Sequence, residues 1–413
     1  MRIVQVSTFD RGNGASEAAF RLHCALREKG INSWMVVQNK LGDDPHVIGP
    51  DTRVERIFAM MRPHLDGLPK MLDPECNDFY NDISWLPTTQ IKWIKKLNPD
   101  IVHLHWINGG FLSIGSLATF KMPIVWTCHD AWPLAGIRHY PVIKFKDGRP
   151  LKSDDCTAEL ARKSLLNRFV IWRKEHVWRN LNMVAVAPSS WMESELNRSL
   201  LWTNRKIHRI PNGLDLSIFK PIPKDEAKKI LNLPKDKRFI LFGAMSATTD
   251  YRKGYFLLKD AISKIREKLD GVELLVYGSS SAESNSDLGI YTHYTGRLRD
   301  VYTLVLFYSA ADVFLAPSVQ DNLPNTVVES LSCGTPCVSF DVGGLSDMIE
   351  HKKNGYLAEP FNCEDFSRGI LWTLAESEDL SKNCRKKAEE TFCSKLNASR
   401  MNGLYEDILS RVL

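Results

Sequence analysis

From Pro317 to Pro360 the chain reads PSVQDNLPNTVVESLSCGTPCVSFDVGGLSDMIEHKKNGYLAEP, an order of residues that few folds accommodate. Just before it, Val313, Phe314 and Leu315 form the short apolar run of a strand buried on both faces. The chain then turns polar at Asp321 and Asn322, and Pro324 suits the first turn of a helix whose apolar face is Val327, Val328 and Leu331. Gly334 and Pro336 end that helix, and CVSFD reads as the next strand. Strand, loop, helix and strand in succession predict a parallel α/β sheet. Asp321 then falls at the carboxyl end of a strand beside a helix amino terminus, where unpaired N–H groups favour a phosphate. Glu329 follows within the first two turns of that helix. Two acceptor-only carboxylates around a bed of backbone donors suit a ligand carrying both hydroxyls and phosphates, such as a nucleotide-sugar.

The same alternation begins at the first residues. Arg2–Thr8 (RIVQVST) reads as a buried strand, and Ala15–Lys29 as a helix with Ala18, Leu22, Ala25 and Leu26 on one face. Between them, Gly12 and Gly14 let the backbone turn tightly ahead of the helix. A dinucleotide fingerprint needs a third glycine where Glu17 stands, which argues against a nicotinamide enzyme. Asn32–Gln38 is a second strand. Asp100–Trp106 is another, followed by the Asn108-Gly109-Gly110 loop, and Met122–Asp130 ends in His129-Asp130. A histidine at such a strand end either bonds a sugar hydroxyl or phosphate or fills the core, and the residues alone leave both readings open.

Thr52–Leu72 reads as an inserted helical pair covering the sheet, with contact to a lipid headgroup surface as the alternative. Ala158–Asn182 reads as a helix that packs a stripe of Leu165, Leu166, Phe169, Val170 and Val177 on the sheet and solvates Lys163, Arg168, Lys174 and Arg179. Turn-rich Lys206–Pro221 marks a domain boundary. Beyond it, Phe239–Ala244 is a strand, and Arg252 and Lys253 precede a helix where two cations and its N–H groups would neutralise a diphosphate. An exposed basic turn is the competing reading.

At 413 residues the chain is too long for one ordinary core. No apolar run reaches the roughly 18 residues of a membrane span, and the first residues read as a strand, not a signal peptide. Nine scattered cysteines without a C-x-x-C pair fit a reducing compartment better than a disulfide framework or a zinc site. A net charge of +5 permits contact with anionic membrane or phosphorylated ligands, and no nucleic-acid motif is present.

The segment from Asp321 resembles the donor-binding signature of family 4 retaining glycosyltransferases with the GT-B fold: an acidic residue, seven residues, a glutamate, a small-residue turn and a GG loop. Here these are Asp321, NLPNTVV, Glu329, SLSCGTP and Gly343-Gly344. The first position is usually Glu, one methylene longer than Asp321. HDAWPLAGIRHY resembles a subgroup with an H-D-x-W motif and a later G-x-x-H-Y stretch, IPNGLD resembles the interdomain hinge, and Lys253-Gly254 matches a K-G pair of the diphosphate loop. Ala244 stands where an arginine is common, a role Arg252 would take. Many of the subgroup carry cysteines after the H-D motif, but Arg138 stands at the first such place and only Cys128 and Cys156 lie nearby, so no metal site is expected.

The resemblance implies two Rossmann-like doubly wound domains facing across a cleft: residues 1–215 binding the acceptor, 216–395 binding the nucleotide-sugar, and 396–413 as a helix crossing back to the first. It implies donor contacts from Gly14, Ala15, Arg252, Lys253, Gly296, Arg297, Asp321, Asn322, Leu323, Pro324, Asn325, Thr326 and Glu329. His129 and Asp130 would orient sugar or acceptor, and Asp321 would touch hydroxyls of the transferred sugar. The implied reaction is glycosyl transfer with retention and without metal or cofactor, from a UDP- or GDP-sugar to a saccharide or lipid-diphosphate-linked saccharide. Its setting would be bacterial surface polysaccharide synthesis in the cytoplasm, at the inner membrane face. A sugar-nucleotide epimerase or phosphorylase, or an inactive sugar-nucleotide-binding subunit, would share the same fold.

Overall fold

The computed structural model describes all residues except 74–80, 141–144, 147–148, 151–163, 244–249, 279–287, 299 and 412–413. It divides into two compact units, Met1–Gly213 with Ser394–Leu413, and Leu214–Cys393. In unit one the strands are β1 (Arg2–Phe9), β2 (Asn32–Asn39), β3 (Val47–Ile48), β4 (Ile101–Leu104), β5 (Ile124–Thr127), the short antiparallel pair β6 (Phe145–Lys146) and β7 (Arg149–Pro150), β8 (Met183–Ala187) and β9 (Ile207–Arg209). Seven of them form one parallel sheet in the order β3-β2-β1-β4-β5-β8-β9. The order reverses direction between β1 and β4, the kind of point at which open α/β sheets bind ligands.

Both faces of this sheet are covered, which explains the nearly continuous apolar runs. Val4, Val6, Val102, Leu104 and Trp126 belong to one buried cluster. Ile3, Ile101, Val125 and Val186 belong to another, with Leu26 of the Gly14–Glu28 helix and Met401, Leu404 and Ile408 of the Ser394–Ser410 helix. Asn13 caps the first of these helices through Ser16 N–H, and the Glu17 carboxylate reaches back to Gly12 N–H at 2.9 Å. That contact is what a glutamate provides where the dinucleotide fingerprint has glycine: a negative charge on the helix amino terminus and a tied-down loop.

Thr52–Leu72 does hold a helix that packs beside the sheet and a following helical turn, and the Ala158–Asn182 expectation needs correction. The Arg53–Gly67 helix buries Ala59, Arg62 and Asp66 and leaves Val54, Ile57, Met60 and Met61 in solvent. Polar contacts hold its inner face: Arg62 donates to the carbonyls of Gly110 and Pro87, and Asp66 accepts from Ser84 and Trp85 N–H. The Leu165–Trp178 helix, the described part of the longer predicted one, buries Val170, Lys174 and Trp178 while Leu165 and Phe169 face out. Lys163 lies outside the described residues. Lys174 is fully buried because its Nζ donates to the carbonyls of Trp132, Ala135 and Gly136 at 2.5, 2.8 and 2.7 Å and sits 3.5 Å from the Trp132 ring centre. Burial pushes its pKa well down, against the pull of Asp130 and Asp82, yet three carbonyl acceptors take all three ammonium protons.

Unit two has β10 (Arg238–Gly243), β11 (Val272–Tyr277), β12 (Thr292–Tyr294), β13 (Val313–Ala316), β14 (Cys337–Phe340) and β15 (Gly355–Ala358), in one parallel sheet ordered β12-β11-β10-β13-β14-β15. The Asn325–Ser332 helix joins β13 to β14, as the spacing of Val327, Val328 and Leu331 predicts, and all three are buried. The sheet reverses between β10 and β13, the strands whose following loops carry Lys253 and Asp321. Among the described residues, no helix is long and apolar enough to cross a membrane.

Replacing Lys174 with alanine strands three buried carbonyls without their donor. The variant is expected to lose about 3 kcal/mol or more of unfolding free energy in a denaturant titration. A loss below about 1 kcal/mol would show that the buried ammonium does not hold this loop.

Candidate functional site

In unit two the predicted donor residues gather at the carboxyl edge of the sheet. Lys253 ends a short helical turn after β10, and its Nζ lies 2.7 Å from Asp321 Oδ2, in the loop after β13. Glycines permit this meeting. Gly254 has φ +69°, and a Cβ there would stand 1.8 Å from the Pro317 carbonyl oxygen. Gly343 has φ +58°, and a Cβ there would stand 1.8 Å from the Asp321 carbonyl oxygen. Gly344 N–H donates to that same carbonyl at 3.1 Å, so the GG loop after β14 sets the height of Asp321.

Arg252 sits beside Lys253 but turns elsewhere. Its guanidinium clasps Asp250 at 3.1 and 2.6 Å, an acid two residues upstream that the sequence reading did not weigh. Ala244 lies outside the described residues. Asn322, Leu323 and Pro324 are buried, and Leu323 packs in the core of the unit; Asn325 and Thr326 open the helix and are half-buried. Glu329 is only 6% exposed. Its Oε2 accepts from the Tyr308 hydroxyl at 3.1 Å, and Tyr308 in turn meets Tyr277 at 2.7 Å. Burial, with Tyr277 and Glu329 adding to it, raises the Tyr308 pKa, so the phenol remains a donor. Gly296 receives Gly278 N–H at 2.7 Å, and Arg297 is exposed next to it.

In unit one, Gly14 is exposed and Ala15 half-buried at the start of the first helix. His129 and Asp130 follow β5. His129 Nε2 lies 3.0 Å from His105 Nδ1, and burial lowers its pKa to about 4 against the pull of Asp130. Asp130 is committed to its own loop: Oδ1 accepts Trp132 N–H at 3.0 Å, and Oδ2 lies 2.7 Å from His139 Nδ1. His139 Nε2 lies 2.7 Å from Asp82, so one imidazole bridges two carboxylates. Burial alone would lower the His139 pKa; Asp130 and Asp82 outweigh it and raise it to about 9. Asp130 feels the reverse, since burial pushes it up and the His139 charge and hydrogen bond bring it below the usual carboxylate range. An imidazolium flanked by two acids and the Lys174 ammonium below thus clamp the loop that carries His129.

Sequence reasoning missed Asp82, Asp250, Tyr277, Tyr308 and His105 as site partners. His105 alone had a local signal, a polar position in alternation with the apolar strand residues Val102 and Leu104. Among the described residues, no group of three or more His, Cys, Asp or Glu side chains is placed to hold a metal ion.

The model for glycosyltransferase family 4 matches residues 12–218, and that for glycosyl transferases group 1 matches residues 223–391. A D-inositol 3-phosphate glycosyltransferase of Segniliparus rotundus is 30% identical over 43% of this chain and 41% of its own length. A UDP-Gal:alpha-D-GlcNAc-diphosphoundecaprenol alpha-1,3-galactosyltransferase of Escherichia coli is 27% identical over 49% of this chain and 55% of its own. These matches therefore span about half of each relative. The structure of sucrose-phosphate synthase from Thermosynechococcus elongatus superposes with a TM-score of 0.70 at 20% identity, covering 100% of both chains.

Because the folded pKa of His139 is raised, its contribution to stability is complete below about pH 6.5 and is lost as pH rises through about 9. The clamp should contribute on the order of 3 kcal/mol below that window. Thermal melts from pH 6 to 10 should show the wild type losing stability that His139→Gln never had; parallel curves for the two would remove the imidazolium from the account.

Proposed function

The chain belongs to glycosyltransferase family 4, and from that membership we propose that it transfers a sugar from a UDP- or GDP-sugar to a saccharide or lipid-diphosphate-linked saccharide, with retention of anomeric configuration. The carrying observation is the Lys253–Asp321 pair at the reversal point of the unit-two sheet, with Glu329 eight residues on. An incoming diphosphate offers Lys253 more negative charge than Asp321 does, so the lysine moves to the phosphates and frees Asp321 to accept sugar hydroxyls. Glu329, held by Tyr308, accepts the ribose hydroxyls. The cation and the helix amino terminus stabilise the leaving diphosphate, so no divalent metal and no cofactor is required. His129 contacts the sugar or acceptor, in the loop clamped by His139 and Lys174. The undecaprenol-diphosphate-linked acceptor named for the Escherichia coli relative supports the lipid-linked choice and a role in bacterial surface polysaccharide.

Lys253→Ala and Asp321→Ala are expected to lower kcat about 100-fold, while Glu329→Ala and, less severely, Tyr308→Phe weaken nucleotide-sugar binding, by about 10- to 100-fold and about 5-fold. Kinetics with acceptor and mass spectrometry of donor-only mixtures read both points. Unchanged constants in all four variants would sink the site, and a sugar product formed at full rate without acceptor would replace transfer by epimerase or phosphorylase chemistry.

The exposed apolar side chains Val54, Ile57, Met60 and Met61 beside Arg53 and Arg56 fit an anionic bilayer surface at the inner face of the cytoplasmic membrane. The wild type should sediment with vesicles containing anionic lipid, and Ile57→Glu with Met61→Glu should abolish it. A wild type that stays in the supernatant would rule the surface out.

A further inference from the structure

A continuous run of buried polar side chains in unit one ends on His129. Gln5 of β1, His103 of β4, His105 just beyond it and Thr127 of β5 are buried polar side chains on three neighbouring strands, and Tyr405 comes in from the Ser394–Ser410 helix. Gln5 Oε1 lies 2.7 Å from His105 Nε2, and Gln5 Nε2 lies 3.4 Å from the Tyr405 hydroxyl. That hydroxyl lies 2.6 Å from His103 Nδ1, and His103 Nε2 lies 2.7 Å from Thr127 Oγ1. The His103 and His105 rings stack with centroids 4.4 Å apart, and those of His105 and His129 with centroids 5.3 Å apart.

The three imidazoles are neutral at pH 7, because burial lowers His103 to about 3, His105 well below the ordinary value and His129 to about 4. Each ring therefore carries one N–H and one lone pair, and the polarity of one hydrogen bond dictates the next. With the Gln5 carbonyl toward His105, His105 donates from Nε2, and its Nδ1 lone pair accepts from His129 Nε2. On the other arm the Gln5 amide donates to Tyr405, Tyr405 donates to His103 Nδ1, and His103 donates from Nε2 to Thr127. A flipped amide reverses every bond, makes His105 donate from Nδ1 to His129 Nε2, and moves the His129 proton to Nδ1. The same groups thus admit two polarities, and the side-chain amide is the switch between them.

We propose that Gln5, oriented by Tyr405, is a positioning residue that holds His129 as the Nε2–H tautomer, so that its Nδ1 accepts a hydrogen bond from a hydroxyl of the donor sugar or the acceptor. This rests on His129 touching the reacting sugars, as in the function proposed above. The wrong tautomer presents a donor where the reaction needs an acceptor, which penalises turnover more than binding. Tyr405 acts two groups away from His129, through Gln5 and His105.

The test uses the full chain labelled with ¹⁵N-histidine, with long-range ¹H–¹⁵N spectra reporting which ring nitrogen carries the proton and His129→Gln identifying the resonance. The wild type should show His129 protonated at Nε2. Gln5→Leu and Tyr405→Phe should shift it toward Nδ1–H and lower kcat about tenfold, with the donor KM within about twofold. Tyr405→Phe removes one oxygen and keeps the ring, so a misfolded Gln5→Leu leaves the test intact. A wild-type His129 protonated at Nδ1, or a folded Tyr405→Phe with an unchanged tautomer, overturns the inference. Full activity in His129→Gln instead overturns the role of His129 itself, whatever the spectra show.

Discussion

The pairing of Lys253 with Asp321 is the interaction on which the functional reading of unit two depends. It joins the loops after β10 and β13, the two strands on either side of the point where the strand order reverses. The side chains retain 23% and 16% of their exposure, so the pair is neither free in water nor sealed in the core. A partly wetted pair of this kind contributes of the order of 1 kcal/mol or less, whereas breaking a sealed one costs several. The low cost of separation is what would suit it to a ligand site, where a diphosphate would replace the carboxylate with more charge. The rigid part is the backbone below it, where Gly254 and Gly343 bring the loops closer than any side chain at those positions allows.

Unit one uses the opposite strategy. Around His129 its charges are largely buried and fully committed: the His139 imidazolium lies between Asp82 and Asp130, and Lys174 caps three carbonyls of the same loop. Removing one member leaves the rest desolvated and unpaired, so such groups fix a loop and do not exchange with a ligand. Asp130 accordingly works through the loop, with both oxygens already accepting hydrogen bonds. His129 is left as the group that the clamp presents, and the polar run from Thr127 to His105 determines how it is presented.

The architecture was legible because parallel strands buried on both faces are mostly apolar, and RIVQVST, DIVHLHW and VFLA announce themselves in that way even with Gln5, His103 and His105 among them. The Asp321 to Gly344 stretch was legible for a second reason, since turn residues and acids at fixed offsets specify a loop locally. Lys174 was not, because periodicity assigns a lysine to solvent unless carbonyls from a distant loop are known to face it. Asp250, which holds the Arg252 guanidinium, was not legible either, because a single carboxylate in a polar loop carries no periodic signal. Tyr308 precedes Glu329 by twenty-one residues and meets it only through the packing of two helices, which no local pattern records.

A crystal structure of the full chain with an intact UDP- or GDP-sugar measures the central claim directly. The account predicts the ribose hydroxyls on Glu329, the diphosphate at Lys253, and Asp321 parted from the lysine and turned to the sugar. A nucleotide-sugar bound elsewhere, with Lys253 and Asp321 still joined, would contradict it.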